Sequence, residues 1–403
     1  ILMATYIYAN ATSLFDYSNG ASRSLKLLFE RLAESGNKVY VVSGFISNCK
    51  TSFDYTQKTS KRIEEVKNIK CKMINHFTLK GVNYSLIKTR QWSRLFLASD
   101  EQECIYYESI RIIDEYNIDI ILGWGNLLLE ESIFKYAKRK NLKLCFYLVN
   151  PYYKNKKSYL LENADLYITD SEATRNLYSE VNPSKFFVLP KLIESPSLEE
   201  VSLSHNKLSN TCLFINPSIK KGLEPFLAIA NYFEKERYNI KFLIIDSKNI
   251  LRQELSKLSI NTNMLPANIS FRPPSVRQEN IFKNVSILLL LSLWHESGSR
   301  LIYESYSRGI PVLAFETGGT KEFIGDHKDD IFEPPLTTYD SMKTMKIKQW
   351  DISLITGRIK SLLKDIKSYE DYSLKIKSDY EKLNLNDLAD RKLKELTNNL
   401  LSL

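Results

Sequence analysis

Apolar residues along the chain form short consecutive runs that alternate with longer segments in which every third or fourth position is apolar. The short runs predict buried strands, and the longer segments predict amphipathic helices. The first run, "MATYIYAN" (3–10), precedes the helical "RSLKLLFERLAESG" (23–36), for which Gly36 is the expected C-cap. Further runs of this first half lie at 37–45, 118–124, 142–149, 164–170 and 185–190. This alternation is typical of a doubly wound α/β fold with a parallel sheet.

A second alternation begins after residue 210. Its runs lie at 211–217, 240–246, 269–274, 285–294 and 311–316. Between the two halves, 191–210 is polar, lacks a clear period and follows a strand that ends in proline, which indicates a linker. At 403 residues the chain is also longer than one core usually supports. We therefore expect a first domain over 1–190 and a second domain over 211–374.

Composition narrows the class of protein. With 43% hydrophobic and 26% charged residues, the chain is expected to be a soluble globular protein. Its longest apolar run has ten residues, about half of what a membrane-spanning helix needs. Five cysteines without a C-x-x-C pair argue against a disulfide framework and a zinc site, and no secretory signal pattern opens the chain. A cytoplasmic location fits best.

The net charge of +9 is compatible with nucleic acid, an anionic membrane surface or phosphorylated substrates. No aromatic and basic recognition module accompanies the charge, so we expect no nucleic-acid partner.

Candidate chemistry is concentrated in "WHESGSRLIYESYSRGIPVLAFETGGTKEF" (294–323). Small residues followed by an amphipathic segment and a Gly-Ile-Pro stop predict a helix from near Ser299 to Arg308, directly after a buried strand. The start of such a helix suits a diphosphate, and Arg300 would add a positive charge. Glu304 would lie about 7 Å further along the axis, where a carboxylate can accept both hydroxyls of a ribose. Glu296 precedes the helix, where a sugar attached to the phosphates would lie.

The alternative is that both glutamates are surface carboxylates beside an ordinary helix. Two features count against it. Gly318 and Gly319 form a turn after the next strand, at the same sheet edge. Lys220 and Lys221 follow an earlier strand at that edge, where an ammonium can neutralise a leaving diphosphate, although a solvated lysine pair would look the same.

The order strand, "NPSIKKG", two strands and "SLWHESGSRLIYESYSRGIPVLAFETGGTKE" resembles the donor domain of retaining nucleotide-sugar glycosyltransferases of family 4. The E-x7-E element formed by Glu296 and Glu304, the following G-I-P-V and the G-G-x-x-E carry the resemblance. The first half is similar to the family in the glycine loop at Gly20 and in "ADLYITDSEATRNL" (164–177).

This resemblance implies the GT-B fold, in which two Rossmann-like domains face a cleft and the C-terminal helix, at about 375–403, crosses back to complete the first domain. It implies transfer of a sugar, with retention of configuration, from a nucleotide-diphosphate sugar to a glycan, lipid-linked or other hydroxyl acceptor, in polysaccharide or glycoconjugate biosynthesis. Glu296 and Lys221 would be catalytic. The donor would be bound by Glu304, Lys220, Arg300, Ser299, Leu301, Asn216 and Gly20, and the acceptor side would include Asn150, Trp124 and Asn126. Since no D-x-D motif occurs, we expect neither an essential metal nor another cofactor.

The chain departs from the family pattern in three places. The E-G-F-G that is common in the family is here Glu296-Ser297-Gly298-Ser299. The arginine that the family often has ahead of the diphosphate lysine is absent, and Asn216-Pro217 stands in that region. Asn150-Pro151 stands where many members have a histidine. A nucleotide-sugar epimerase of the same fold and a catalytically silent partner subunit therefore remain alternatives.

The segment 77–99 mixes basic residues with Trp92, Leu95 and Phe96. It is interpreted either as a helix that packs on the core or as a basic, partly apolar surface near the acceptor, in contact with an anionic membrane or a lipid-linked glycan.

Overall fold

The computed structural model describes residues 3–67, 74–154, 158–178, 180, 183–194, 196, 209–340, 343–348 and 350–403. Contacts along the chain divide it into two compact units. Unit 1 comprises Ile1–Leu192 together with Leu385–Leu403, and unit 2 comprises Ile193–Asn384. Most of the predicted linker, 191–210, lies outside the described residues.

Unit 1 is built on one sheet with the strand order β3-β4-β2-β1-β5-β6-β7-β8. The strands are β1 (Thr5–Thr12), β2 (Lys38–Ile46), β3 (Ile74–Leu79), β4 (Val82–Ile87), β5 (Ile120–Gly123), β6 (Lys143–Tyr147), β7 (Leu166–Thr169) and β8 (Phe186–Val188). Neighbouring strands pair in parallel except β3 and β4, which are antiparallel. The carboxyl ends of the parallel strands therefore share one edge.

Helices cover both faces of this sheet. They are α1 (Gly20–Glu34), α2 (Lys50–Lys67), α3 (Ser99–Glu115), α4 (Leu128–Arg139), α5 (Tyr159–Asn163) and α6 (Glu172–Leu177). Along β1, Tyr6 and Tyr8 belong to one buried cluster, whereas Ile7 and Ala9 belong to another. Because successive side chains of a strand point to opposite faces, both faces of the sheet are buried, as a doubly wound fold requires.

The C-terminal helix (Leu385–Ser402) also belongs to unit 1. Its Leu393, Leu396 and Leu400 are buried in the same cluster as Tyr6, and the hydroxyls of Tyr6 and Thr397 form a buried hydrogen bond of 2.8 Å. The expected return of the chain to its first half is thereby confirmed.

The segment 77–99 is not a helix. It contains the end of β3, the tight turn at Lys80 and Gly81, strand β4 and a single 3-10 turn at Arg94–Phe96. Both turn residues have positive φ, +47° and +76°, which is the backbone that a two-residue hairpin turn requires. The interpretation as a core-packing helix is therefore wrong. Leu95 is 88% exposed and Phe96 65% exposed, so the apolar residues of the turn lie on the surface.

Unit 2 contains a second parallel sheet with the order β11-β10-β9-β12-β13-β14. Its strands are β9 (Thr211–Ile215), β10 (Lys241–Ile245), β11 (Ile269–Arg272), β12 (Ile287–Leu290), β13 (Val312–Phe315) and β14 (Ile331–Phe332), and β15 (Thr337–Tyr339) pairs antiparallel with β16 (Met345–Ile347). The helices are α7 (Leu223–Lys235), α8 (Leu251–Lys257), α9 (Gln278–Phe282), α10 (Arg300–Tyr306), α11 (Thr320–Ile324), α12 (Ser353–Leu362) and α13 (Ile366–Lys382).

Strand order explains how distant parts of the sequence meet in unit 2. Strand β12 lies between β9 and β13, so the loops after these three strands emerge side by side at the carboxyl edge. The apolar run at 285–294 is longer than β12, and Leu293 has already left the sheet, where its N–H donates to the carbonyl of Lys220 at 2.8 Å. The fold confirms the predicted pair of doubly wound α/β halves.

Candidate active site

Lys221 reaches the carboxyl edge through a tight turn after β9. It ends a 3-10 turn (Ile219–Lys221) that is capped by the Ser218 hydroxyl, which accepts from the Lys221 N–H at 3.2 Å. The next residue, Gly222, has φ +91°, and a Cβ there would lie 2.0 Å from the carbonyl oxygen of Leu291. Only glycine allows this close approach, which brings the lysine loop against the loop after β12.

Glu296 follows β12 and is held by three donors. Its Oε1 accepts from the Lys221 ammonium, the Ser292 hydroxyl and, at 3.1 Å, the Trp294 indole N–H. The residue is buried, and the Lys221 ammonium forms an ion pair with it. The structure therefore brings together the two residues for which a catalytic role is predicted.

The charge state of Glu296 follows from these contacts. Burial by itself would raise the pKa of the carboxyl, but the Lys221 charge and the hydrogen bonds from Lys221, Ser292 and Trp294 outweigh it and hold the pKa below its ordinary value. Glu296 is consequently a carboxylate at neutral pH.

Trp294 also contacts both lysines of the loop after β9. The Lys221 and Lys220 ammonium groups lie 5.5 and 5.9 Å from the ring, within the range of cation–π attraction. Two positive charges and one carboxylate thus surround a single indole.

The turn after β13 supports the backbone of Glu296. The Gly319 N–H donates to the Glu296 carbonyl at 2.7 Å, and a Cβ on Gly318, whose φ is +55°, would lie 2.2 Å from that same oxygen. Gly298 is constrained as well, because its Cβ would lie 2.4 Å from the ring of Phe323. Gly298 stands where the E-G-F-G pattern has phenylalanine, and the ring of Phe323 occupies the space that a side chain at this position would need.

Glu304 lies inside α10 and is 1% exposed. Its Oε1 accepts from Arg300 Nη2 at 3.0 Å and Nε at 3.2 Å, and from Gln278 Nε2 at 2.7 Å. The guanidinium of Arg300 thus lies in a buried ion pair with Glu304, one helical turn further along α10. The expected contact of Arg300 with a diphosphate stays a prediction. Gln278, from α9, was not foreseen, because no motif marks a lone glutamine 26 positions before Glu304.

The other residues predicted to bind the donor lie in both units. Ser299 is the N-cap of α10 and is buried, and Leu301 is half-buried on the same helix. Asn216 follows β9 with φ +57°, and its side-chain oxygen accepts from the Ser247 hydroxyl. Gly20 is the first residue of α1 in unit 1, and a Cβ there would meet no atom within 4 Å.

The predicted acceptor-side residues share one edge of the sheet in unit 1. Trp124 and Asn126 follow β5, and Asn150 follows the neighbouring β6. The Trp124 carbonyl accepts from the side chain of Asn10 at 2.5 Å, and Asn126 is exposed. The Asn150 side chain accepts from the Tyr152 N–H at 2.9 Å and so caps the turn in which it lies.

Within the described ranges, no group of three His, Cys, Asp or Glu side chains is placed to hold a metal ion. None of the helices described here combines the length and apolar character needed to cross a bilayer.

The second half of the chain is similar in sequence to a known family. Residues 202–375, less than half of the chain, match the sequence model of the family described as "Glycosyl transferases group 1". A search of curated protein sequences gave no significant match.

Solved structures match over the whole chain. Sucrose-phosphate synthase from Thermosynechococcus elongatus has a TM-score of 0.65 at 11% identity, covering 100% of both chains. A glycosyltransferase from Rickettsia africae has 0.61 at 15%, covering 100% of this chain and 99% of that one. Anabaena HepE in complex with UDP and glucose has 0.63 at 13%, covering 99% and 100%. The chain therefore has the GT-B fold of these structures, and its residues 202–375 carry the sequence pattern of group 1 glycosyl transferases.

Proposed function

We propose that the protein is a retaining glycosyltransferase of family 4, which transfers a sugar from a nucleotide-diphosphate sugar to a hydroxyl acceptor. The observation that carries the proposal is the buried Glu296 carboxylate paired with Lys221 at the carboxyl edge of unit 2, on the same segment as the buried Glu304. A surface glutamate beside an ordinary helix would need neither burial nor three donors.

Each carboxylate is assigned one part of the donor. Glu304 accepts the ribose hydroxyls, and Arg300 and Gln278 hold it in place. Lys221, with Lys220, neutralises the diphosphate, while Glu296 accepts hydroxyls of the transferred sugar. Ser299, Leu301 and Asn216 of unit 2 would line the rest of the donor site, and the donor contact of Gly20 in unit 1 stays a prediction. Among the similar structures, HepE was solved with UDP and with UDP-glucose, which makes uridine nucleotides the first donors to test.

The chemistry follows from a developing charge. As the bond between the anomeric carbon and the diphosphate oxygen breaks, negative charge grows on the leaving group, and an ammonium already in place stabilises it without reorganisation. The acceptor oxygen bonds to the anomeric carbon on the face that the diphosphate leaves, and the hydroxyl proton passes to a leaving phosphate oxygen. The lysines then take the place of a metal ion, so chelators should leave the activity unchanged.

The acceptor is assigned to unit 1, near Asn150, Trp124 and Asn126, as a glycan or a lipid-linked glycan in polysaccharide or glycoconjugate biosynthesis. We place the enzyme in the cytoplasm, with peripheral contact to an anionic membrane through the exposed Leu95 and Phe96.

Sedimentation with anionic and neutral vesicles tests this contact. The double variant Leu95→Glu/Phe96→Glu should lose binding to anionic vesicles. Leu128→Glu, at an equally exposed leucine of unit 1, is the control and should keep binding. Absence of binding in the wild type would remove the membrane assignment.

A panel of nucleotide sugars tests the function itself. Nucleotide release and glycosidic product are measured for the wild type and for Glu304→Gln, which keeps the size of the side chain and removes its charge. Since hydrogen bonds to a charged group contribute about 1.5–3 kcal/mol, the variant should lose about tenfold or more in kcat/KM. The anomeric configuration of the product, read by NMR, tests retention.

Two outcomes contradict the proposal. A donor that is converted into its epimer without release of nucleotide would identify an epimerase. Failure of every nucleotide sugar to bind would indicate a silent subunit.

A further inference from the structure

The Glu296 carboxylate has an asymmetric environment. Lys221, Ser292 and Trp294 all donate to Oε1, whereas Oε2 accepts no hydrogen bond from the described residues. Lys221 comes from the loop after β9, while Ser292 and Trp294 precede Glu296 by four and two positions in its own loop. Two separate segments therefore converge on one oxygen.

We infer that Ser292 and Trp294 are positioning residues, which commit Oε1 of Glu296 to the protein and leave Oε2 to accept a hydroxyl of the transferred sugar. This inference rests on the proposed function, because it assigns a role within the same site.

The need for positioning follows from the side chain itself. The terminal torsion of a glutamate is broad and nearly two-fold, so packing alone does not decide which oxygen points where. Hydrogen bonds to a charged acceptor are about twice as strong as neutral ones, and three of them on one oxygen fix the plane of the carboxylate. A group that must meet a sugar hydroxyl to within a fraction of an ångström requires such support.

Trp294 has a second role in this arrangement. Its ring lies 5.5 Å from the Lys221 ammonium, while its N–H lies 3.1 Å from the carboxylate that Lys221 also contacts. The indole thus contacts both members of the ion pair and fixes the lysine and the carboxylate relative to one another.

Trp294→Phe separates these roles, because phenylalanine keeps an aromatic ring and removes the N–H. Ser292→Ala removes the second donor. We expect each variant to lower kcat about tenfold, with KM for the donor and the Kd of the free nucleotide changed less than about threefold. The reason is that the free nucleotide carries no sugar to contact Oε2.

Trp350→Phe is the matched control, since Trp350 packs edge-on against Phe315 elsewhere in unit 2. It should keep the wild-type kcat. A kcat for Trp294→Phe equal to that of Trp350→Phe would overturn the inference.

A second measurement does not depend on activity. The pH titration of the Glu296 carboxyl, followed by carbon NMR in the complete protein, should show a higher pKa in Trp294→Phe and in Ser292→Ala than in the wild type, because each variant removes a donor that stabilises the charged form. An unchanged titration in both variants would overturn the inference. If the wild type transferred no sugar but these shifts occurred, the proposed function would fail while the positioning of the carboxylate stood.

Discussion

Lys221→Met is the perturbation that separates a catalytic ammonium from a structural one. Methionine keeps most of the length and apolar character of the side chain and removes its charge. In the wild type this charge lies beside the Glu296 carboxylate and over the Trp294 ring, and 31% of the side chain is exposed. The ammonium is therefore partly open to a ligand while it is held by the protein.

Two magnitudes follow from this environment. One preorganised donor to a developing negative charge is generally worth about 10²- to 10³-fold in kcat, and we expect a loss of this size. The variant also leaves Glu296 buried without its counter-ion, which should destabilise the folded state by about 1–3 kcal/mol. In a unit of this size that corresponds to a fall in Tm of several degrees.

Lys220→Met is the matched control, because Lys220 is the exposed neighbour and forms no ion pair with a described residue. Its kcat should fall less than about fivefold. The double variant Lys221→Met/Glu296→Gln removes both charges, so Tm should recover while activity stays low. Steady-state nucleotide release and thermal melting measure the two effects separately. A Lys221→Met enzyme within threefold of wild-type kcat, or less affected than Lys220→Met, would refute the assigned role.

Three further predictions concern glycines and a histidine. Gly318→Ala should abolish activity and lower Tm, because at φ +55° its Cβ would lie 2.2 Å from the carbonyl oxygen of Glu296. The control variant Gly357→Ala, which has open space around its Cβ in α12, should be more stable than the wild type by about 0.5–1 kcal/mol. Equal changes in the Tm of the two variants would contradict this prediction. Gly20→Ala should keep the wild-type Tm, since its Cβ meets no atom within 4 Å, and should lower kcat/KM because Gly20 is a predicted donor contact; unchanged kinetics would remove Gly20 from the predicted contacts. Burial lowers the pKa of His327 below the ordinary 6.5, although nearby carboxylates oppose the effect. Because the folded protein holds this histidine neutral, the stability of the fold is highest above pH 6.5 and decreases as the pH falls below that value. His327→Gln should flatten melting temperatures measured from pH 8 to pH 5, and a slope equal to that of the wild type would refute this explanation.

The sequence predicted the parts of the fold that depend on local pattern. Buried parallel strands appear as apolar runs, and the stop at Gly309 and Pro311 marks the end of α10, so the elements around Glu296 were placed correctly. The β3–β4 hairpin was not predicted, because the basic residues of 77–99 suggested a helix or a surface segment, although a Lys-Gly pair between two alternating segments is a hairpin signal.

Side-chain partners were harder to foresee than elements. The pairing of Arg300 with Glu304 follows a helical i,i+4 spacing, and the sequence could have indicated it in place of a free arginine. By contrast, the contacts of Gln278 and Trp294 depend on how α9 and the loop after β12 pack, and residue spacing carries no such information. Of the departures from E-G-F-G, the glycine at 298 in place of phenylalanine is explained by the ring of Phe323, a contact that residue spacing does not reveal.

We propose that unit 2 binds a nucleotide-diphosphate sugar with its ribose at Glu304 and its diphosphate at Lys221. A crystal structure of the full chain soaked with UDP or UDP-glucose tests it most directly. We expect ribose hydroxyl oxygens about 2.7 Å from the Glu304 carboxylate and diphosphate oxygens beside the Lys221 ammonium. A nucleotide bound with its ribose away from Glu304, or with its diphosphate away from Lys221, would contradict it.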